Sequence, residues 1–189
     1  MTGAVKASPR RRRHLAAALL AMAALSLATP MAAGVRATRA WAQEPVPIAP
    51  LYVVLQAGSA DCGPALVATL AAWAGRPADL ALVTSQAAIG RDGVSLGEFA
   101  RLASLHGLDG AWYSVRRDRL AGLRTPFVAH LQNGAKGHFV AVVAVGARHA
   151  VVADPATGAL VGPTDELLRR FSGRVFLLDA PPSPRWEGV

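Results

Sequence analysis

The only cysteine of this 189-residue chain, Cys62, stands between Asp61 and Gly63, directly before an apolar run. Apolar residues recur in that run at helical spacing, so we expect Cys62 to lie at the N-terminus of a helix. Free backbone N–H groups and the helix dipole at that end stabilise a thiolate. Two interpretations stay open: a nucleophilic thiol, or a small apolar residue buried for packing.

A thiolate nucleophile needs a general base, and the base needs a group that orients it. His138 begins the most apolar predicted strand, and Asp154 lies at the end of the next one. If the two strands pair as a hairpin through residues 146–148, these two side chains come close together. The other histidines are expected in the N-terminal segment, at a helix end, inside a strand and in a turn: His14, His106, His130 and His149.

Gln56 precedes Cys62 by one short loop and is a candidate for the oxyanion hole. Its side-chain amide could donate to the oxyanion that forms on a carbonyl under attack, together with the Cys62 backbone N–H. The alternative is an exposed glutamine at the end of a strand. Asp61 is expected to cap the helix, with no catalytic role.

Neither a metal nor another cofactor is expected. The chain has no His-x3-His or Cys-x2-Cys spacing, and one cysteine with scattered histidines makes a poor zinc site. It also has no Walker-type glycine loop, so we expect no ATP-binding domain in this chain.

The formal net charge of +8 is concentrated near the N-terminus. Seven of the 20 basic residues precede residue 43, and no acidic residue appears before Glu44. The rest of the chain therefore carries a net charge near +1, which argues against nucleic-acid binding.

Residues 1–42 have the three parts of an export signal in the right order. Four arginines at 10–13 precede an uncharged run over 15–35, and Ala-Trp-Ala at 40–42 fits a cleavage site before Gln43. We therefore expect a periplasmic or secreted bacterial protein, with the uncharged run as an uncleaved membrane anchor in the alternative. The proline-rich stretch 43–50 is interpreted as a linker.

The remaining chain predicts helices first and strands afterwards. Helices are expected over 62–73 and 78–88, and a third begins with a capping box of Ser95 and Glu98 and ends at Gly107. A fourth helix begins at Thr164. Strands are expected over 51–56, 110–116, 126–132, 138–146, 149–155 and 173–178. This order indicates an α+β fold for a domain over 51–179, followed by a disordered tail over 180–189.

Several segments together resemble one known family. "QAGSADCGPALVATLAAWAG" is similar to the Gln-x4-Asp-Cys-Gly signature of the bacteriocin-processing, double-glycine leader peptidases, the peptidase domains of peptide-exporting ABC transporters. "DGVSLGEFARLASLHGL" resembles their Gly-Thr-Ser-Leu helix, with Val94 in place of threonine. "GHFVAVVAV", "ADPATG" and "FSGRVFLL" resemble their later strands and loop. The resemblance covers about residues 50–179.

The resemblance implies a papain-like cysteine peptidase fold and a role for each matching position. Cys62 would be the nucleophile, His138 the general base and acid, and Asp154 the residue that orients the imidazole. Gln56 would line the oxyanion hole, and Gly63 would allow close approach of the substrate backbone. The implied partner is a peptide or protein substrate.

The combined interpretation is an exported cysteine peptidase that hydrolyses peptide bonds, with a Gly-Gly leader as the family's substrate. Two alternatives use the same fold. The first is a peptide-binding module without catalysis, and the second is a thiol acyltransferase or amidase that passes the acyl group to an amine.

Overall fold

The computed structural model describes residues 51–133 and 136–185. The predicted signal over 1–42, the linker over 43–50 and the last four residues of the predicted tail lie outside these ranges. Within them the chain forms four α-helices, with bounds α1 Cys62–Trp73, α2 Leu80–Ser85, α3 Leu96–Leu105 and α4 Thr164–Arg170. Six strands accompany them: β1 Gly110–Ser114, β2 Phe127–Asn133, β3 Lys136–Val145, β4 His149–Asp154, β5 Gly158–Pro163 and β6 Phe171–Leu178.

The six strands form one antiparallel sheet in the order β1–β6–β2–β3–β4–β5. The helices α1 and α3 pack on one face, where Phe139, Ala141 and Phe176 join their buried residues in one apolar cluster. Alternation along β3 turns Val140 and Val142 to the other face. The helix α4 lies against β2, β4 and β5, and its buried Leu167 is not part of the α1 cluster. The predicted α+β architecture is confirmed.

The helix α1 is the centre of the helical layer. All twelve of its residues are buried, so it is a core helix rather than an amphipathic surface helix. Its one polar interior side chain, Thr69, is satisfied twice: the hydroxyl donates to Ala65 O and accepts from Val54 N–H, each at 2.9 Å. Burial of this kind fixes the position of the first residue, Cys62, against the sheet.

Half of the predicted capping box at α3 forms. Ser95 Oγ accepts a hydrogen bond from Glu98 N–H at 3.1 Å, as an N-cap should. The Glu98 carboxylate does not return to the Ser95 backbone; it accepts from Ala88 N–H at 2.7 Å and pairs with Arg101. The helix therefore starts as predicted, while its first acidic residue anchors the preceding loop.

The predicted strand over 51–56 is wrong. Its N–H groups donate to three separate parts of the chain, so no ladder forms. The donors and acceptors are Tyr52 to Arg185 O at 2.8 Å, Val54 to Thr69 Oγ1 at 2.9 Å and Gln56 to Pro155 O at 2.8 Å. The strand β5 was not predicted, and α2 is shorter than the predicted 78–88.

Residues 180–185, which the sequence assigns to the tail, contact the beginning of the domain. Pro182 is buried, and the Arg185 guanidinium lies 5.3 Å from the ring centroid of Tyr52. Among the helices in the described ranges, none has the length and apolarity needed to cross a bilayer.

Candidate active site

The thiol of Cys62 lies at the first residue of α1, only 6% exposed. No acidic side chain occupies the first turn, and no side chain caps it. The N–H groups that every helix leaves unpaired at this end are therefore directed at the region of the thiol. They favour negative charge there, which is the environment expected for a nucleophilic cysteine.

Asp61 holds the N-cap position but does not cap the helix, contrary to the sequence prediction. Its carboxylate turns back and accepts N–H bonds from Ala57 and Gly58, each at 2.9 Å. These two hydrogen bonds, from backbone N–H groups to the Asp61 carboxylate, make residues 57–61 a rigid turn. This turn leads the chain from Gln56 into Cys62.

His138 and Asp154 lie together as the hairpin geometry predicts. His138 Nε2 is 2.7 Å from Asp154 Oδ1, and the two residues are 8% and 2% exposed. Ala141 pairs with Ala153, so continuation of that register would put Val140 opposite Asp154. His138 lies two residues before Val140 on β3, and alternation puts its side chain on the same face as those of Val140 and Asp154. The β3–β4 pairing therefore sets this contact.

The carboxylate of Asp154 is itself held in place. Its Oδ1 also accepts the Ala156 N–H at 2.8 Å, in the turn that joins β4 to β5. Arg170, at the end of α4, is near enough for the Asp154 charge to oppose the effect of burial, which lowers the pKa of the guanidinium. Two elements thus support the carboxylate that orients His138.

The imidazole of His138 is hydrogen-bonded to Asp154, and Cys62 is near enough to affect its protonation. Burial alone would lower the pKa of His138, but its interactions with Asp154 and Cys62 raise it to about 9. Because Nε2 is used by Asp154, Nδ1 is the ring nitrogen left for the thiol. The structure therefore brings together a thiol, an imidazole that retains its proton at neutral pH and a carboxylate.

The backbone of Gln56 lies beside Cys62, His138 and Asp154. Its N–H donates a hydrogen bond to the carbonyl oxygen of Pro155, the residue after Asp154. Its side-chain Nε2 donates to Gly58 O at 2.5 Å, and its buried Oε1 has no partner among the described residues. One amide hydrogen is therefore committed to the turn before Cys62. The oxyanion role of Gln56 stays a prediction.

A pocket of about 220 Å³ opens beside Cys62. It is smaller than the roughly 300–1,000 Å³ of pockets for drug-sized ligands, and suits a short stretch of extended peptide. Its walls come from the loop before α3, the start of α3 and the ends of β2 and β3. They are Asp92, Val94, Ser95, Leu96, His130, Gly137 and Phe139.

His130 is a pocket residue that the sequence analysis placed inside a strand without a role at the site. The alternation signal was present, since His130 follows Val128 on the same face, but nothing in the sequence showed that this face meets Cys62. Gly63 has a packing role: a Cβ there would lie 2.3 Å from Val94 Cγ2. Within residues 51–133 and 136–185, no group of three or more potential ligands is arranged to hold a metal ion.

Residues 51–183 match the peptidase C39 family. The chain is also 29% identical over 121 residues to the colicin V secretion/processing ATP-binding protein CvaB of Escherichia coli. That match covers 64% of this chain and 17% of the relative, so the chain spans less than a fifth of that protein's length.

Solved structures give the same picture. A double glycine motif protease from an AMS/PCAT transporter, solved in complex with the leader peptide, superposes with a TM-score of 0.63 at 26% identity. The match covers 74% of this chain and 98% of that one. The peptidase domain of Streptococcus ComA, a bi-functional ABC transporter, superposes with a TM-score of 0.61 at 19% identity, over 67% and 96% of the two chains. The second likeness shows the fold alone.

Proposed function

Since the chain belongs to the peptidase C39 family of cysteine peptidases, we propose that it cleaves peptide bonds with Cys62, His138 and Asp154. The papain-like fold and the enzyme class predicted from the sequence are confirmed by that membership. The catalytic roles of the individual residues, the substrate and the place of action belong to this proposal.

The observation that carries the proposal is the chain of contacts Cys62–His138–Asp154, which begins at the N-terminus of α1 and is buried along its length. The pKa of His138, raised to about 9, keeps the imidazole protonated at neutral pH. A positive ring beside the thiol and the dipole of α1 both stabilise a thiolate. Such a pair is the ground state of a papain-type nucleophile.

The first half of the reaction transfers the acyl group to sulfur. The Cys62 thiolate attacks the scissile carbonyl carbon, and the electron pair of the C=O bond moves to oxygen. The Cys62 N–H and the second amide hydrogen of Gln56 are the proposed donors to that oxyanion. The C–N bond then breaks as His138 gives its proton to the leaving amine, which leaves a thioester and a neutral imidazole.

The second half returns the enzyme to its starting state. Neutral His138 takes a proton from water, and the resulting hydroxide attacks the thioester carbonyl carbon. The C–S bond breaks, the acid product leaves, and the thiolate faces a protonated imidazole again. Asp154 stabilises the imidazolium in both halves and keeps the ring oriented.

A leader that ends in Gly-Gly is the substrate that the site supports best. The pocket beside Cys62 is small, and Val94, Leu96 and Phe139 leave little room for side chains on the peptide. A relative at 26% identity is a double glycine motif protease that was solved with its leader peptide. Both observations favour cleavage after two residues without side chains.

We further propose that the enzyme acts outside the cytoplasm, in the periplasm or as a secreted or anchored protein. The support is the sequence of residues 1–42, with its arginines, its uncharged run and Ala-Trp-Ala before Gln43. Fractionation of bacteria that express the full chain, with mass analysis of the N-terminus, tests this. Recovery only in the cytoplasm with Met1 retained would refute it.

The activity is tested with the full chain and two synthetic peptides that differ only in Gly-Gly against Val-Val at the cleavage point. We expect cleavage of the first, none of the second, and none of either by Cys62→Ala. The rate of Cys62 alkylation at neutral pH should fall with His138→Ala but not with His149→Ala. His149 is a matched control because it is an exposed histidine on the neighbouring strand. Full turnover by Cys62→Ala would end the proposal.

A further inference from the structure

A second histidine, His130, lines the pocket from the face of the sheet that carries Phe139 and is covered by the helices. On β2 it pairs with Phe139, whereas its neighbour Leu131 pairs with His138. Alternation therefore puts the His130 and His138 side chains on opposite faces. The His130 ring packs on Phe139 with centroids 5.2 Å apart, and it lines the pocket together with Cys62.

The orientation of this ring is fixed by one hydrogen bond. His130 Nδ1 lies 2.9 Å from Ser172 Oγ on β6. The serine hydroxyl can donate or accept, so either tautomer of a neutral imidazole satisfies this contact. The other nitrogen, Nε2, has no hydrogen-bond partner in the part of the chain that the structure describes.

The position of Nε2 depends on a glycine at 137. A Cβ on Gly137 would lie only 2.2 Å from Nε2, so any other residue there would displace the ring. Gly137 also lines the pocket and directly precedes His138. The structure thus keeps one ring nitrogen unpartnered in the wall of the pocket that holds the candidate nucleophile.

His130 is kept neutral in this place. Burial lowers the pKa of His130, and the nearby positive charge of His138 lowers it further. A neutral imidazole presents one donor or one acceptor at Nε2, and either matches a group of a peptide main chain. A charged imidazole would instead compete with His138 for the thiolate.

We propose that His130 is a substrate-binding residue, whose Nε2 forms a hydrogen bond to the main chain of the substrate peptide beside the scissile bond. Through this bond the peptide is held extended along β2 and β3 at the height of Cys62. The inference rests on the proposed peptidase function. It assigns the residue to substrate binding, and not to proton transfer, which belongs to His138.

Two conservative substitutions separate this role from a structural one. His130→Gln can put an amide where Nε2 lies and loses the Ser172 contact. His130→Asn can keep a group where Nδ1 lies and leaves the Nε2 position empty. If Nε2 binds substrate, His130→Asn should raise KM roughly 3- to 10-fold, the value of one hydrogen bond, with little change in kcat. His130→Gln should stay nearer to the wild type.

The opposite ranking, with His130→Asn normal and His130→Gln impaired, would show that only the Ser172 contact matters and would overturn the inference. Unchanged KM in both variants would overturn it as well. Ser172→Ala removes the hydrogen bond at Nδ1 but keeps the imidazole, its Nε2 and its packing on Phe139, so it should change KM less than His130→Asn. Urea unfolding of each variant shows whether it is still folded. If one of the two His130 variants is unfolded, the KM of the other, compared with that of Ser172→Ala, tests the inference.

Binding without turnover distinguishes failure of this inference from failure of the proposed function. The Kd of a fluorescent Gly-Gly peptide is measured on full-chain Cys62→Ala, alone and combined with each His130 substitution. Binding that depends on His130, with no hydrolysis by the wild type, would refute the peptidase mechanism and leave the binding role. Hydrolysis by the wild type with a Kd and KM independent of His130 would refute the binding role of His130 and leave the peptidase mechanism. No binding of the peptide at all would contradict both claims.

Discussion

The protonation of the His138 imidazole depends on both of its neighbours, Asp154 and Cys62. Burial opposes its positive charge, so the charge persists only because Asp154 and Cys62 both favour the protonated ring. Removal of either partner should therefore leave a buried ring with a pKa closer to its ordinary value of 6.5, or below it. The proximity of the pair was predictable from the sequence, but the balance between burial and charge was not, because it depends on exposure.

Asp154→Asn should move the titration midpoint of His138 well down from about 9, because the amide keeps the shape but not the charge. The measurement is an NMR titration of the His138 ring protons, with His149→Asn as a control that removes an exposed histidine. A midpoint that stays near 9 in Asp154→Asn would show that Asp154 does not set the protonation of the ring.

The same pair makes stability depend on pH in a definite direction. The folded-state pKa of His138 is raised, so its contribution to the free energy of unfolding is full below about 6.5 and is lost as pH rises through about 9. The shift corresponds to roughly 3 kcal/mol at most. The stability difference between the wild type and Asp154→Asn, measured in urea, should shrink over that interval.

At the scale of elements, the turn of residues 57–61 decides how Gln56 and Cys62 approach each other. Its conformation is held by one carboxylate, Asp61, on the N–H groups of Ala57 and Gly58. Because this carboxylate faces the turn, the first turn of α1 keeps its N–H groups for the thiol. Asp61, which the sequence assigns to the N-cap of α1, thus contributes to the site because its carboxylate leaves these N–H groups free.

Asp61→Ala should cost about 1–3 kcal/mol of unfolding free energy, since it leaves two N–H groups without their acceptor. Asp61→Asn should cost less, because the amide oxygen still accepts. Cys62 alkylation should slow in Asp61→Ala at pH 7 while the helix content by circular dichroism stays constant. A stability equal to the wild type in Asp61→Ala would mean that water replaces the carboxylate and that the turn is not held by it.

Elements with strong local signals were predictable, and those that depend on distant partners were not. The apolar spacing from Leu66 to Trp73 gave α1 its observed bounds, and valine-rich runs gave most of the strands. Residues 51–56 have strand-like composition, yet their N–H groups bond to three separate segments. The strand β5 lies between Gly158 and Pro163, residues that disfavour strands, and only its pairing with β4 makes it one. The role of His130 was missed for the same reason, because it depends on the helix that covers this face of the sheet.

At the scale of the whole molecule, the site lies where the helical layer meets the sheet, so it depends on how firmly these layers are joined. Cys62 belongs to the first layer, and His138 and Asp154 belong to the second. Phe99 of α3 joins them: its ring stacks on Phe139 at 4.9 Å and meets Trp112 and Phe176 edge-on at 5.6 and 5.5 Å. It is fully buried, and each such aromatic pair contributes roughly 0.5–1.5 kcal/mol beyond the area it buries.

Phe99→Ala should therefore destabilise the protein by about 3–5 kcal/mol, and Phe99→Leu by clearly less, because leucine fills most of the cavity. The effect on the site should exceed that of an equal loss of stability elsewhere, since Phe139 forms both the aromatic contact and a wall of the pocket. Leu167→Ala, on the opposite face of the sheet, is the matched control. Under conditions where both variants stay folded, His138-dependent alkylation of Cys62 should fall in Phe99→Ala and persist in Leu167→Ala. Equal alkylation in the two would mean that the thiol and the imidazole are held together by their own contacts, without help from the aromatic cluster.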